Sequence, residues 1–368
     1  MSTPPVRRYD LDLLRAFAMM LGIGLHTALA TLSLPGMSIE GPLGWFAAGV
    51  HGFRMPLFFL ISGFFTAMLW TRRGPRGLLR DRSRRIALPL AVGLVTIVPL
   101  LFLLGYLGTL APVDLQPTGL YAPPQRQGVW IELGHLWFLW YLFLLVLAYI
   151  PLARVIALSA PVLIWLLPVA AIVPQYFMAD EFGASTATGI VPRWEIITYY
   201  AVFFVFGASL FDLPRRRGGQ RIDVLGRSWP LLLTVGLLIV FPMALYATFI
   251  TQDRAAASVL QVVYAWCIAI GLIGVVRILP RLDRPWVRYS SDASYWMYLA
   301  HLPLVLLIVP WIGALALPWP ATFIVSALLV TVILLWTYDR YIRYGSVGRL
   351  LNGPRTRPAT TADANSEP

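Results

Sequence analysis

The sequence contains no lysine, so all 29 of its basic residues are arginine. Charged residues make up only 12% of the 368 residues and hydrophobic residues 58%, far from the composition of an ordinary soluble domain. Cysteine is nearly absent too: the lone Cys267 lies in an apolar run, which excludes an intramolecular disulfide and a cysteine-based metal site. Walker-type, GxGxxG, HExxH and serine-hydrolase patterns are missing, so ATP-driven pumping, Rossmann chemistry and zincin chemistry have no support.

Long apolar runs dominate what remains, and the mean hydropathy is +0.72. They predict an all-α integral membrane protein, a single bundle of about ten transmembrane helices. The predicted spans are 13–34, 44–70, 86–110, 134–153, 155–176, 195–212, 229–250, 257–279, 293–313 and 319–339. The boundary between the fourth and fifth spans rests on little more than Arg154. No cleavable signal is expected, because the first apolar run is already a full-length span.

The arginines are distributed unequally between the two sides of these spans. Of the 29, 25 lie on the side of both termini, three lie on the other side and Arg54 lies within a span. The positive-inside rule therefore predicts that both termini are cytoplasmic. A net charge of +12 does not indicate nucleic-acid binding here, because no basic face sits on a soluble module. We expect a cytoplasmic segment at 1–12, a membrane domain at 13–342 and a disordered cytoplasmic tail at 343–368.

Ionisable residues within the spans are the first functional candidates, because burying them in a membrane costs a few kcal/mol each. All four histidines lie in or at the edge of a predicted span: His26, His51, His135 and His301. His51 and Arg54 are spaced i, i+3 and share a helix face. A buried arginine needs an anion, which either a protein carboxylate or a substrate could supply.

The first span carries Arg15 and His26, eleven residues apart. At about 100° per residue the two return to within about 20° of one helix face, roughly 16 Å apart along the axis. One stripe could thus carry a cation near the cytoplasm and an imidazole in the outer half. Equally, Arg15 could snorkel to the membrane surface and His26 could bond a neighbouring helix. Asp12 could pair with Arg15.

Further site candidates lie on the fourth, ninth and second spans. His135 follows Glu132 at i+3 near the outer interface, and could instead be an anchor in an aromatic belt. His301 lies near the middle of its span with Tyr298 at i−3, and could instead be a packing histidine. Ser62 belongs to a Ser-Gly pair that permits close helix approach.

The stretch RRGPRGLLRDRSRRIALP contains seven arginines within residues 72–85. Such a run usually sets topology and contacts lipid head groups. It could also dock a polyphosphorylated donor, because guanidinium groups bind phosphate in a bidentate manner. The run alone does not separate these interpretations.

Taken together, five stretches resemble the acyltransferase 3 family of multi-span membrane acyltransferases. They are LRAFAMMLGIGLH with its Arg15 and His26, FRMPLFFLISGFF, the R-x-x-R-I-x-x-P stretch at 82–89, GHLWFL and SYWMYLAHLPL. Within the family, YDLDLLRAF, HGFRM and GHLWFL are most similar to the branch that contains the glucan-succinylating membrane proteins. We expect no large extracytoplasmic hydrolase-like domain of the kind that some members carry.

The resemblance implies acyl transfer from a cytoplasmic acyl-CoA, either succinyl-CoA or acetyl-CoA, to a hydroxyl of an extracytoplasmic carbohydrate such as a periplasmic glucan. It implies a multi-pass protein of the bacterial cytoplasmic (inner) membrane, with no permanently bound cofactor and no metal. His26 and Arg15 match the family's central pair, and Arg82 and Arg85 match its arginines at the cytoplasmic mouth. Motif positions without a settled role are His51, Arg54, His135 and His301.

Two chemical mechanisms fit these residues: His26 could act as general base, or it could carry the acyl group as an acyl-imidazole. Arg54 or His51 could stabilise the oxyanion, and Arg54 could instead hold the free carboxylate of a succinyl group. The competing function is a carrier that moves an anionic substrate or protons without covalent chemistry. The third alternative is that the protein is a purely structural membrane partner. The expected partners are the lipid bilayer, acyl-CoA and a glycan, without nucleic acid; the oligomeric state stays open.

Overall fold

The computed structural model describes residues 9–38, 40–109, 132–178, 181–212, 226–279 and 284–352. These residues form helices and short connections, and among them the one β-type contact is an isolated antiparallel bridge between Glu132 and Gly189. The predicted all-α class is confirmed. Long apolar runs adopt helices because a helix satisfies its backbone polar groups internally, which lipid cannot do.

Twelve α-helices are described. They are α1 (Tyr9–Leu32), α2 (Pro42–Arg82), α3 (Leu88–Thr109), α4 (Trp137–Ala170), α5 (Ile172–Tyr176), α6 (Trp194–Asp212), α7 (Trp229–Val235), α8 (Phe241–Leu245), α9 (Arg254–Ile278), α10 (Pro285–Gly313), α11 (Trp319–Thr337) and α12 (Ser346–Asn352). Single π-helical turns follow several of them, at Ser83–Ala87, Gly236–Val240, Tyr246–Ile250 and Tyr338–Ile342. The 3₁₀ turn Gly134–Leu136 leads into α4. At the start of α9 the Asp253 carboxylate caps the helix by accepting from two backbone N–H groups.

Eight helical stretches of the described chain are long and apolar enough to cross a membrane, so the predicted count of ten is not confirmed. Pro42–Leu107 runs for 66 residues and includes the predicted second and third spans; Gly134–Tyr176 runs for 43 and includes the fourth and fifth. Inside α2, Gly74 has φ +65° and kinks the helix, which glycine tolerates because it has no Cβ. The predicted boundary at Arg154 is not confirmed, because the residues on both sides of it are helical.

The outside of the bundle is apolar. Large hydrophobic side chains such as Leu158, Trp165 and Val95 are 84%, 77% and 73% exposed. A soluble protein rarely exposes so much contiguous apolar surface, whereas in a bilayer these side chains contact lipid. The exposure supports a multi-pass membrane protein.

Helices α2 and α6 pack with their backbones in close approach. A Cβ on Gly63 would overlap the carbonyl oxygen of Phe204, and a Cβ on Gly207 would overlap that of Leu60. Small residues permit this approach between membrane helices, so the close contact predicted at the Ser-Gly pair is confirmed. Phe59 then stacks on Tyr200, with ring centroids 4.5 Å apart. The contact holds in place the α2 segment that carries His51 and Arg54.

The two ends of the bundle are formed by different parts of the chain. At one end, which we call the arginine end, α1 begins and Arg15 donates to Ser291 of α10. At the other, which we call the loop end, α1 ends and α2 begins. There the segment 181–190 folds against the start of the 134–176 stretch, through a hydrogen bond from Leu133 N to Thr188 O. The ends are thus separated along α1.

Candidate active site

A cavity of about 770 Å³ lies between α1, α2, α3, α4 and α10 and reaches the loop end. Seven of the eleven site residues predicted from sequence line it: His26, His51, Arg54, Glu132, His135, Tyr298 and His301. The other four, Arg15, Ser62, Arg82 and Arg85, do not. The candidates divide into a cavity group and an arginine-end group, with Ser62 in neither.

Three histidines from different parts of the chain converge on the cavity. The ring centroids of His26 and His301 are 5.1 Å apart, and those of His135 and His301 are 5.2 Å apart. His301 therefore lies between the other two rings. In the described residues, no group of three histidine, cysteine, aspartate or glutamate side chains is placed to hold a metal ion.

His301 is 3% exposed and one of its ring nitrogens is held by its own helix. Nδ1 donates to the carbonyl oxygens of Tyr298 at 2.7 Å and Met297 at 3.1 Å. Nε2 is buried and has no hydrogen-bond partner in the part of the chain that the structure describes. Because carbonyl oxygens only accept, the proton of the neutral ring lies on Nδ1 and the lone pair on Nε2.

His135 donates its hydrogen bond from the other ring nitrogen. Its Nε2 donates to the carbonyl oxygen of Leu299 at 3.1 Å, and its Nδ1 is buried with no hydrogen-bond partner among the described residues. The Tyr298 hydroxyl donates to the backbone oxygen of His135 at 2.8 Å, which ties the start of α4 to α10. His135 is 8% exposed, so it is a buried cavity residue and not an anchor at the lipid surface.

Arg54 projects from α2 toward α1. Its Nη1 lies where a Cβ on residue 22 would be, so Gly22, one helical turn before His26, leaves room for the guanidinium. Nε of Arg54 is buried without a hydrogen-bond partner, and the described residues form no ion pair with this arginine. A cation whose Nε is buried, which lines a cavity and which pairs with no carboxylate of the described residues, is suited to bind an anionic group of a substrate.

The segment 181–190 forms part of the cavity mouth. His51 Nε2 donates to the carbonyl oxygen of Ala184 at 3.1 Å, and the side-chain oxygen of Gln261 accepts from Gly183 N at 2.9 Å. These bonds bring Thr186 and Thr188 to the cavity wall beside Glu132. Sequence reasoning missed both threonines, because the stretch ASTATG carries no helical or strand period and its position depends on tertiary contacts.

At the arginine end, three candidates lie outside the cavity. Arg15 donates to Ser291 Oγ at 2.9 Å and lies 3.7 Å from the Asp12 carboxylate, so the predicted pairing with Asp12 is confirmed. Arg82 donates to Thr66 Oγ1 at 3.4 Å, while its Nε is buried without a partner. Arg85 lies 3.4 Å from the carboxylate of Asp81, and its side chain is 48% exposed. These three arginines therefore form a partly exposed group of positive charges at the arginine end.

Tyr295 lies between the arginine end and the cavity. Its hydroxyl donates to the carbonyl oxygen of Arg85, and its ring centroid is 6.4 Å from that of Tyr298, which lines the cavity. Sequence reasoning missed Tyr295, although its spacing of i−3 from Tyr298 puts these two tyrosines on one face of α10. This stripe of α10 links the two groups of candidates.

Comparison with known proteins decides the family. Residues 8–339 match the acyltransferase 3 family, described as an acyltransferase domain. The chain belongs to the acyltransferase 3 family. It is 27% identical to the glucans biosynthesis protein C of Salmonella typhi and to that of Salmonella typhimurium, over 96% of each chain. The protein of the same name from Salmonella paratyphi B is 26% identical over the same share. No solved structure matches.

Membership of the acyltransferase 3 family supports a membrane acyltransferase. The five stretches that carried the resemblance meet in the structure at two places: the cavity, with His26, Arg54, His135 and His301, and the arginine end, with Arg15, Arg82 and Arg85. The acyltransferase thus has polar chemistry at two depths of one bundle.

Proposed function

We propose that this acyltransferase moves an acyl group, succinyl or acetyl, from a cytoplasmic acyl-CoA to a hydroxyl of an extracytoplasmic carbohydrate such as a periplasmic glucan. The observation that carries the proposal is the separation of two sites: a cavity with three histidines and an unpaired Arg54, and an arginine end. Charged phosphates and a reacting hydroxyl would then approach from opposite sides of the membrane. The name of the relatives, glucans biosynthesis protein C, supports a glucan acceptor.

The arrangement in the membrane is part of the proposal. The arginine end faces the cytoplasm of a bacterial cell, both termini are cytoplasmic, and the protein is multi-pass in the inner membrane. The two longest helical stretches each cross twice, which makes ten spans. Contacts at the loop end support this for Gly134–Tyr176: Leu133 N bonds Thr188 O at its start, and Arg254 donates to the carbonyl oxygen of Tyr176 at its end.

At the cavity, His26 acts on the proton of the acceptor hydroxyl. The hydroxyl oxygen bonds to the acyl carbon while the imidazole takes its proton; the carbon–sulfur bond then breaks, and the proton passes to the departing thiolate. General acid–base catalysis of this kind contributes roughly 100-fold to 10,000-fold. In the alternative, His26 first carries the acyl group as an acyl-imidazole, which the hydroxyl then attacks. Both routes need the imidazole at the depth where donor and acceptor meet.

Arg54 supplies the positive charge at this site. With a succinyl donor it holds the free carboxylate of the acyl group through charge-assisted hydrogen bonds. If the natural donor is acetyl-CoA, Arg54 instead stabilises the oxyanion, a role that His51 could share. Its buried Nε without a partner supports both roles.

The arginine end binds the donor's phosphates. Arg15, Arg82 and Arg85 present guanidinium groups there, and Arg82 and Arg15 each keep a hydroxyl as their direct hydrogen-bond acceptor. Planar guanidinium forks match phosphate oxygens. The arm of the donor would pass Tyr295 on its way to the cavity.

A carrier is the second candidate function. The unpaired Arg54 in an open cavity suits passage of an anionic substrate as well as catalysis. Uptake of substrate into vesicles without a covalent product would support the carrier. Acyl transfer from acyl-CoA in detergent would support the enzyme.

The experiment that tests the proposal is mass spectrometry of periplasmic and surface glycans. A deletion strain is complemented with wild-type protein, with His26→Ala, or with Met20→Ala, whose side chain is 40% exposed on the same helix. We expect a succinyl or acetyl ester on a glycan that wild type and Met20→Ala restore and His26→Ala does not. Identical glycans in every strain would remove the carbohydrate acyltransferase.

A further inference from the structure

We propose that His301 is the proton-relay partner of His26, and that His135 stabilises the charge that the relay places on His301. The inference rests on the proposed acyl transfer for its biological role, but its physical basis is the arrangement of three imidazoles around one cavity. Nothing in the sequence pattern assigns a role to either residue.

The tautomers of two rings follow from their acceptors. His301 donates from Nδ1 to two carbonyl oxygens, and His135 donates from Nε2 to a third. In the neutral rings this leaves a lone pair on Nε2 of His301 and on Nδ1 of His135, both buried and both without a hydrogen-bond partner among the described residues. Each lone pair can accept a hydrogen bond, so an N–H proton from an incoming donor would satisfy Nε2 of His301.

His26 is placed to supply that proton. Its ring centroid is 5.1 Å from that of His301, and its Nδ1 is buried without a partner. A general base normally needs a second group that orients it and takes up the charge, as the third member of a catalytic triad does. Since no described residue bonds Nδ1 of His26, rotation of this ring can bring an N–H to Nε2 of His301, and catalytic hydrogen bonds often tighten only when substrate binds.

Proton transfer through the relay leaves His26 neutral and places the positive charge on His301. One nitrogen of His26 takes the proton of the acceptor hydroxyl as the hydroxyl oxygen bonds to the acyl carbon. The N–H on the other nitrogen of His26 gives its proton to Nε2 of His301, so His26 stays neutral and His301 becomes an imidazolium. The carbon–sulfur bond breaks, both transfers reverse, and the thiolate leaves as the thiol.

The surroundings of His301 suit a short-lived positive charge. The carbonyl oxygens of Met297 and Tyr298 already accept from Nδ1, and the neutral ring of His135, whose centroid lies 5.2 Å away, offers the lone pair of its Nδ1 to the field around the new charge. Arg54 lines the same cavity and repels a second cation, which favours return of the proton to the leaving group. The groups that face His301 are thus His26 from α1, Arg54 from α2, His135 before α4 and Tyr298 of its own helix.

Diethylpyrocarbonate tests the relay without the natural substrate, because it acylates a neutral imidazole and the modified ring must lose its other proton. The rate of modification at His26 is followed by mass spectrometry of its peptide in wild type and His301→Gln; glutamine can hydrogen-bond but cannot carry the proton. We expect the His26 rate to fall roughly 10-fold or more, in line with lost general-base assistance. His51, in the same cavity but bonded to Ala184, should keep its rate and reports an intact fold.

Imidazole rescue provides the second measurement. His301→Ala leaves a space beside the cavity into which free imidazoles can diffuse. We expect added imidazoles to restore acyl transfer in His301→Ala, with a rate that depends on the basicity of the imidazole, which a packing role would not produce.

An unchanged His26 rate in His301→Gln, together with no rescue of His301→Ala, would overturn the relay. Failure of the relay and failure of the proposed function give different results. If wild type performs acyl transfer but the His26 rate does not depend on His301, the relay fails and the function stands. If the His26 rate depends on His301 but wild type transfers no acyl group, the relay stands and the function fails.

Discussion

The guanidinium of Arg54 occupies the space in which a side chain of residue 22 would lie, so Gly22 on α1 and Arg54 on α2 form one unit. Gly22 precedes His26 by one helical turn and shares its face. The pair positions a buried cation beside the candidate base. No local sequence pattern links these two residues, because the relationship depends on how α1 packs against α2.

Gly22→Ala should displace the Arg54 side chain. Since alanine has the higher helix propensity, α1 itself should not weaken. We expect acyl transfer to fall about 10-fold or more, in line with the loss of a charge-assisted contact, while the purified protein keeps its elution volume. Gly24→Ala is the matched control, because its Cβ would meet only the ring edge of Phe46 at 3.3 Å. Equal activity of both variants and wild type would contradict a role for the Gly22–Arg54 contact.

Arg54→Met should separate the two roles open to this residue. If Arg54 holds the carboxylate of the acyl group, the KM for succinyl-CoA should rise roughly 10-fold to 100-fold, while acetyl-CoA changes little. The measurement is steady-state kinetics with both donors. A common loss of kcat with both donors would instead indicate oxyanion stabilisation. Arg254→Met, an exposed arginine at the loop end, should behave as wild type.

Arg82→Gln should weaken recognition of the nucleotide part of the donor. We expect a lower kcat/KM with acyl-CoA but little change with the corresponding acyl-pantetheine, which lacks those phosphates. Arg84→Gln, an exposed neighbour, is the control. If Arg82→Gln reduced the use of both donors equally, phosphate binding at this arginine would be ruled out.

Glu132→Gln and Thr186→Ala should affect the acceptor, because both residues line the mouth of the cavity. We expect a higher KM for the carbohydrate and an unchanged KM for the donor, with each lost hydrogen bond worth about 1 kcal/mol, or roughly fivefold. Thr198→Ala serves as control, since that hydroxyl bonds its own helix at Trp194. A change in the KM for the donor alone would refute the assignment of the cavity mouth to the acceptor.

Gly63→Ala should lower the stability of the folded protein. Its Cβ would overlap the Phe204 carbonyl oxygen, which cannot move without shifting α6. We expect a loss of about 1–3 kcal/mol of stability and a lower Tm, measured by thermal unfolding in detergent. Gly41→Ala is the control, because nothing lies within 4 Å of a Cβ there. A Tm equal to that of wild type would show that the two helices can separate at no cost.

Several features follow from the sequence by itself. Apolar runs of membrane length required helices, because lipid offers no partner to the backbone, and the all-α membrane class is confirmed. Spacing along one helix also paired Asp12 with Arg15 correctly. The helix boundaries were harder: the sequence predicted a boundary at Arg154, and the structure does not confirm it, because the described residues on both sides are helical.

Tertiary structure alone decided which polar residues meet. His26, His135 and His301 come from distant parts of the chain, and only helix packing sets their rings 5.1 and 5.2 Å apart. Packing likewise left Arg54 without a carboxylate partner among the described residues and brought Thr186 to the cavity wall. Helical periodicity defines the face on which a side chain lies, but not the helix that the face contacts, because that choice depends on close approaches such as Gly63 against the α6 backbone.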